Sequence, residues 1–270
     1  VKQDQNIKPP NGLVNVSRQV RDTQLDHTSD LEQDFVIDEQ AIAFVYNGIS
    51  NAVMMATPCD LKDFALGFSL SENIIDQKND LLDLEITHTA HGIELNITIS
   101  SRKFIQLKKK RRTLAGNSGC GLCGIESLQQ IDKNRTPLNA YQTLASEVIE
   151  AALTQFKTQQ VLNLQAGGVH AAAFCDLRTG HIRIIREDVG RHNALDKLIG
   201  AINNHKLKNS NGFILVSSRA SYEMVDKTIA ANINHLITIS APTSKAIAVA
   251  KQNRLNLISF ARSGRFVIYA

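Results

Sequence analysis

The sequence predicts an α/β protein: a layered mixed sheet with flanking helices, preceded by a smaller α+β unit. Three observations lead there. Short apolar runs broken by turn residues dominate the first third, with one helix pattern among them. From Tyr141 onward, helix-period segments alternate with strand-like ones. Among these, Phe213-Ile214-Leu215-Val216 is apolar throughout, as suits a strand buried on both faces. With 270 residues, 43% of them hydrophobic and 21% charged, the chain is ordinary for a globular protein with a sizeable core. It divides into a poorly ordered arm (1–30), a small α+β domain (31–112), a loop and connector (113–140) and an α/β domain (141–270).

In chain order, Pro9-Pro10 and scarce apolar positions mark the arm. Phe35-Val36-Ile37, Ile42 to Tyr46 and Ala52 to Ala56 read as strands, and Asn47-Gly48 turns the second into the third. Asp60 is placed to N-cap a helix whose Leu61, Phe64, Ala65 and Phe68 share one face, with Cys59 packed beside it. Leu82 to Ile86 and the alternating Ile93 to Ile99 complete this unit. In the second, Leu144, Val148, Ala152 and Phe156 predict a helix. Val161 to Leu164, Val169 to Cys175 and Ile182 to Ile185 predict strands, and Gly167-Gly168 separates the first two. A helix bearing Leu195, Leu198, Ile199 and Ile202 precedes the Phe213 strand, and one through Val225, Ile229 and Ile233 follows it. Leu236 to Ile239, a helix from Lys245 to Lys251 capped by Ser240 to Ser244, and strands Leu255 to Phe260 and Phe266 to Tyr269 complete the order.

Composition excludes several roles. A net charge of +4 is too small to imply nucleic acid, though it suits an anionic ligand on a local basic patch. No apolar run has the length of a membrane span. The first residues, Val1 to Asn6, lack a signal-peptide core, and four cysteines do not make a secreted disulfide scaffold. A cytoplasmic protein with reduced thiols is expected.

The densest chemical signal is Gly119-Cys120-Gly121-Leu122-Cys123-Gly124. Glycines beside thiols give backbone freedom and close approach, which a buried structural cysteine does not need. Lys108-Lys109-Lys110-Arg111-Arg112 lies just upstream, and positive charge can lower a nearby thiol pKa or attract an acidic partner. A solvated basic face is the simpler alternative. Half a zinc site, a structural disulfide and a thioredoxin-like pair also compete for the thiols. Zinc would need four ligands, and no second Cys-x-x-Cys exists. A disulfide would not persist in a reducing compartment.

Other polar clusters fall where strands give way to helices, where α/β sheets collect ligands. They are Arg186 to His192, Arg219 with Ser221, and the loop Phe260-Ala261-Arg262-Ser263-Gly264-Arg265. Arg262 and Arg265 suit a phosphate clamp around a glycine, or simply a charged turn. His192 suits a catalytic or binding role, or a helix-start pairing with Asp188.

The thiol run, Arg186 to Lys197, Ser217 to Glu223 and Ser240 to Ser244, with Thr57-Pro58, Gly67-Phe68, Ser71-Glu72 and Gly167 to Ala171, together resemble the FdhD family of sulfur-carrier proteins. The resemblance runs from about residue 35 to the C-terminus. It implies a sulfurtransferase-type role: accepting persulfide sulfur from a cysteine desulfurase and delivering it to the molybdenum bis(molybdopterin guanine dinucleotide) cofactor, as active formate dehydrogenase requires. It also implies Cys120 as persulfide carrier with Cys123 as partner thiol, a homodimer, and a larger domain of cytidine-deaminase type. Phe260 to Arg265 match the family's cofactor-binding segment; His192 and Arg219 join them as candidates, with a guanine nucleotide as partial mimic. Family members often carry Arg-Thr where this chain has Asn117-Ser118, so one positive charge beside the thiols is missing. Two rivals are a cofactor-binding chaperone of formate dehydrogenase and a zinc deaminase. The deaminase signature fails, because Ala171-Ala172 follow His170 and no Pro-Cys-x-x-Cys lies downstream. No structural metal is expected.

Overall fold

The computed structural model of the protein describes residues 11–24, 27–115, 135–139 and 143–270. Cys120, Cys123, the glycines around them and the run Ile125 to Ile131, whose apolar spacing suits a short helix, lie outside these residues. The expected fold class is observed.

The N-terminal stretch differs from expectation in its described part. Strand β1 (Leu13–Arg18) pairs antiparallel with β4 (Glu32–Ile37), and β2 (Arg21–Asp22) pairs with β3 (His27–Thr28). A continuous backbone ladder offsets the scarcity of apolar residues. Leu13 is buried in a small cluster with Cys59, Leu162 and Val169.

A four-stranded sheet follows in the order β6-β5-β8-β7, from β5 (Gln40–Tyr46), β6 (Ile49–Ala56), β7 (Leu81–Thr89) and β8 (Gly92–Ile99). Asn47 and Gly48 both have positive φ, 46° and 79°, as the tight β5–β6 turn requires. One face buries Ile42, Phe44 and Tyr46 with Ile93, Leu95 and Ile97. Helix α1 (Leu61–Ser71) packs on it, and Phe44 meets Phe64 edge-on at 5.0 Å. Asp60 occupies the N-cap position of α1 but does not cap it. Its backbone is left-handed (φ 53°), and its carboxylate lies 3.5 Å from Arg186 instead. Helix α2 (Ser101–Ala115) carries the basic run and continues past residue 112.

The second sheet has six strands in the order β10-β9-β11-β12-β13-β14. They are β9 (His170–Asp176), β10 (Ile182–Asp188), β11 (Gly212–Val216), β12 (His235–Thr238), β13 (Asn256–Arg262) and β14 (Arg265–Ile268). β11, β12 and β13 are parallel; the other pairings are antiparallel. All five β11 residues are buried. The period-two alternation of β9 divides the core. Ala171, Ala173 and Cys175 face helix α3 (Ser146–Thr158), through Val148, Ala152 and Phe156. Ala172 and Phe174 join the opposite cluster. There lie three further helices, Arg191–Asn204, Tyr222–Ala230 and Ser244–Gln252.

The stretch expected as a strand at Val161 to Leu164 is instead helix α4 (Val161–Ala166). Only Leu162 in it is buried, and the carboxylate of Glu187 accepts from the Leu162 and Asn163 amides at 2.9 and 3.0 Å. A distant carboxylate thus supplies the N-terminal cap that the local sequence lacks. The three helices of the opposite face are then α5 (Arg191–Asn204), α6 (Tyr222–Ala230) and α7 (Ser244–Gln252).

The two sheets are joined through α1 and α5, which cross with almost no gap. A Cβ on Gly67 would fall 1.7 Å from the Asp196 carbonyl oxygen, and one on Gly200 would fall 1.9 Å from that of Asp63. Three polar ties flank the crossing. Arg186 reaches Asp63 at 2.6 Å. Lys197 reaches Asp188 at 2.7 Å and the Thr57 carbonyl at 2.8 Å. Lys227 reaches Glu72 at 2.7 Å, Ser71 at 2.9 Å and Asp196 at 3.0 Å. Among the described residues no helix is long and apolar enough to cross a membrane.

Candidate functional site

The topology places one end of every strand of the larger sheet along a single edge. The parallel strands β11, β12 and β13 finish there, β10 finishes there, and the antiparallel β9 and β14 begin there. The polar clusters of the sequence therefore become neighbours along that edge.

Asp188, at the end of β10, builds the turn into α5. Its carboxylate accepts from the Gly190 amide at 2.8 Å, the Asn193 side chain at 3.0 Å and the Thr57 amide at 3.1 Å, and Lys197 neutralises it. This fixes Arg191 and His192 in the first turn of α5. His192 does not pair with Asp188, which is turned inward to Lys197. Its Nε2 lies 3.4 Å from Glu223 in the first turn of α6. Burial pushes the His192 pKa down, and Arg191 adds to this against the opposing pull of Glu223. Burial pushes Glu223 up, but the Ser221 hydroxyl and His192 outweigh it, and the net shift is downward. Among the described residues Arg191 Nε is buried without a hydrogen-bond partner, whereas His192 Nε2 is buried against the Glu223 carboxylate. An unmatched guanidinium nitrogen at a helix N-terminus makes a locally electropositive spot.

His170 opens β9 beside Gly167 and Gly168, whose φ values of 68° and 74° need glycine. Its Nδ1 lies 3.4 Å from the Ser217 hydroxyl, whose oxygen accepts from the Ala171 amide at 2.9 Å. Burial lowers its pKa, and the Arg191 charge lowers it further. Arg219, two residues beyond Ser217, is exposed and has no side-chain partner among the described residues. The next loop along is closed by Phe260, whose amide donates to the Ser240 carbonyl at 3.1 Å. Phe260 has φ 53° and is 37% exposed, while Ala261 is buried. Arg262, Ser263, Gly264 and Arg265 form the exposed β13–β14 turn. The Gly264 amide there is taken by Glu150 of α3 at 2.6 Å, and neither guanidinium group of the turn has a side-chain partner among the described residues.

The edge thus gathers His192, Arg219 and Phe260, with Arg262 and Arg265 on the turn beyond. No described contact links those two arginines to His192 or Arg219. Arg191, from the polar cluster Arg186 to His192, also belongs to the edge, as do His170, Ser217 and Glu223, which sequence reasoning misses as site residues. Their signal was present, since each stands at a strand end or helix start within the quoted motifs. Other motif residues, Thr57, Ser71-Glu72 and Asp196-Lys197, serve the ties between the two sheets.

Cys59 is buried, with its sulfur 3.6 Å from Lys197 Nζ; burial raises its pKa despite that cation. Cys175 is fully buried in the core, and its pKa is raised by burial. Both pack as the sequence predicts. Among the described residues no cluster of three or more His, Cys, Asp or Glu side chains converges to hold a metal.

Fold and edge together define a mixed α/β protein with a cationic, partly unsatisfied rim at the end of its larger sheet. Residues 37–270 match the model of the FdhD/NarQ family, and the chain belongs to that family. It is 49% identical over 241 residues to the sulfur carrier protein FdhD of Cupriavidus necator, covering 89% of this chain and 83% of that protein. It is 49% identical over 245 residues to the protein of the same name from Acinetobacter baylyi, covering 90% and 89%. The fold is similar to a crystal structure from Desulfotalea psychrophila of a protein described as a formate dehydrogenase accessory protein. The TM-score there is 0.73, over 95% of this chain and 96% of that one, at 21% identity.

Proposed function

We propose that this protein is a cytoplasmic, homodimeric sulfur carrier that serves the maturation of formate dehydrogenase. The Cys120 thiolate attacks the outer sulfur of a cysteine desulfurase persulfide. The sulfur–sulfur bond of the donor breaks, the desulfurase thiolate leaves, and Cys120 becomes the persulfide. The cargo's recipient is the molybdenum bis(molybdopterin guanine dinucleotide) cofactor, held through its phosphates at the cationic rim by His192, Arg219, Arg262 and Arg265 beside Phe260, Ala261, Ser263 and Gly264. Attack by Cys123 on the inner sulfur of the persulfide leaves a Cys120–Cys123 disulfide. It releases the outer sulfur as sulfide, reduced by the electron pair of Cys123, and a cellular dithiol then restores the thiols.

One observation carries the reading: of four cysteines, Cys59 and Cys175 are buried with raised pKa, and the other two form a glycine-flanked Cys-x-x-Cys in a family member. The names of the relatives support it, and the unmatched Arg191 nitrogen at the start of α5 supports an anionic ligand at the rim. The test is complementation of formate dehydrogenase maturation. Cys120→Ala should abolish it while the protein stays folded. Maturation that persists in this variant would favour a cofactor-binding chaperone that does not use the thiols.

A further inference from the structure

A phenylalanine that the strand pattern assigns to the core is turned out of it at the rim. Ile258 of β13 packs in the cluster beneath α3, and strict alternation would send Phe260 to the same face. Ala261 stands there instead. Between the pairs Ser259–Val267 and Arg262–Arg265, β13 has two residues, Phe260 and Ala261, against one on β14, Phe266. This is a β-bulge, a device that re-aims a side chain. Its pivot is Phe260, whose φ of 53° is a backbone that bulky side chains seldom adopt. The ring is left 37% exposed, with Tyr269 beside it at 6.5 Å between centres. The fold gives up the burial of an aromatic side chain here and accepts a strained backbone, so the surrounding structure must hold the arrangement.

A buried pair of hydroxyls does so. Thr238 ends β12, Ser259 precedes the bulge, and both are fully buried. Their hydroxyl oxygens lie 2.8 Å apart. Thr238 also donates to the Ser240 carbonyl at 3.0 Å, the same oxygen that accepts from the Phe260 amide at 3.1 Å. The exit of β12 is thereby clamped to the bulge of β13 from both sides of Phe260. Neither hydroxyl can turn to solvent, so breaking the pair leaves a buried polar group unmatched.

We infer that Thr238 and Ser259 are positioning residues: their hydroxyl pair holds the β13 bulge that presents the Phe260 ring as a stacking platform for the base of a nucleotide at the rim. This deepens the cofactor-binding part of the proposed function and rests on it. The arginines of the turn suit the phosphates, and an exposed aromatic face suits a planar base. Stacking needs the ring at a fixed angle, which is what the clamped bulge supplies.

The experiment measures GDP binding by calorimetry for wild type, Thr238→Val, Thr238→Ser, Ser259→Ala, Phe260→Leu and the double variant Thr238→Val/Phe260→Leu, each well below its melting temperature. Thr238→Val, Ser259→Ala and Phe260→Leu should each weaken binding about tenfold, the scale of one base–aromatic stack. Thr238→Ser keeps the hydroxyl and should bind like wild type. The double variant should bind no more weakly than Phe260→Leu, because without the ring the bulge has nothing to present. The inference is overturned if Phe260→Leu or both hydroxyl-deleting variants bind like wild type, or if the double variant suffers the two losses in full. Failure of wild type itself to bind GDP would instead overturn the rim as a nucleotide site, and this inference with it.

Discussion

At the residue scale, Arg191 is the most telling. A buried guanidinium nitrogen without a partner among the described residues is costly, and here one sits at a helix start beside His192, whose own ring faces Glu223. An anion at the rim would satisfy it. The turn arginines contribute differently, since Arg262 and Arg265 are exposed and their glycine's amide is already bonded to Glu150. Any grip on phosphate there must come from the side chains. Replacing both with Ala should weaken guanine-nucleotide binding about tenfold or more, the scale of losing charge-assisted hydrogen bonds. The melting temperature should not change, because neither side chain packs. Calorimetry that finds unchanged affinity would remove this turn from the site.

At the scale of elements, the joint between α1 and α5 decides whether the rim exists. Lys197 is fully buried, pairs with Asp188, lies 5.6 Å from the Phe64 ring centre, and through Asp188 holds the turn that presents Arg191 and His192. A buried ion pair is weak as net stabilisation, yet breaking one strands a charge. Lys197→Met should cost about 3–5 kcal/mol in urea denaturation, because it leaves the Asp188 carboxylate without its cation. A loss below about 1 kcal/mol would show that Asp188 does not need the pair. This joint was not legible in the sequence, since its partners lie far apart in the chain and no local pattern announces them. What was legible had local causes: the alternation of β8, the all-apolar β11, and the Asn47-Gly48 turn. The misreadings had non-local ones. Val161 to Leu164 looks like a strand because four apolar-rich residues fit either period, and it becomes helical under a cap supplied by Glu187. Asp60 looks like a cap until Arg186 claims it. The rim was legible as clusters at strand ends, but which members would face one another required the strand order.

At the scale of the whole molecule, the fold holds several histidines in their neutral form. Burial pushes His235 down to about 4, and it lowers His170 and His192 as well. On unfolding these rings regain an ordinary pKa near 6.5 and take up protons below it. The unfolded chain then binds more protons than the folded one, so stability rises with pH across that window. The His235 contribution is complete above about pH 6.5 and is lost as pH falls toward 4. Urea denaturation should therefore show a clear loss of stability between pH 7 and pH 5. His235→Gln should flatten part of that slope; an unaltered slope would mean that His235 titrates normally in the fold. The same architecture buries the thiols of Cys59 and Cys175, and the sulfur chemistry proposed above rests on Cys120 and Cys123. The most direct test is mass spectrometry of wild-type protein incubated with a cysteine desulfurase and cysteine, with the added sulfur mapped to its peptide. The account predicts one or more sulfur atoms on the peptide bearing Cys120, removable by reductant. No added sulfur, or sulfur located on Cys59 or Cys175, would contradict it.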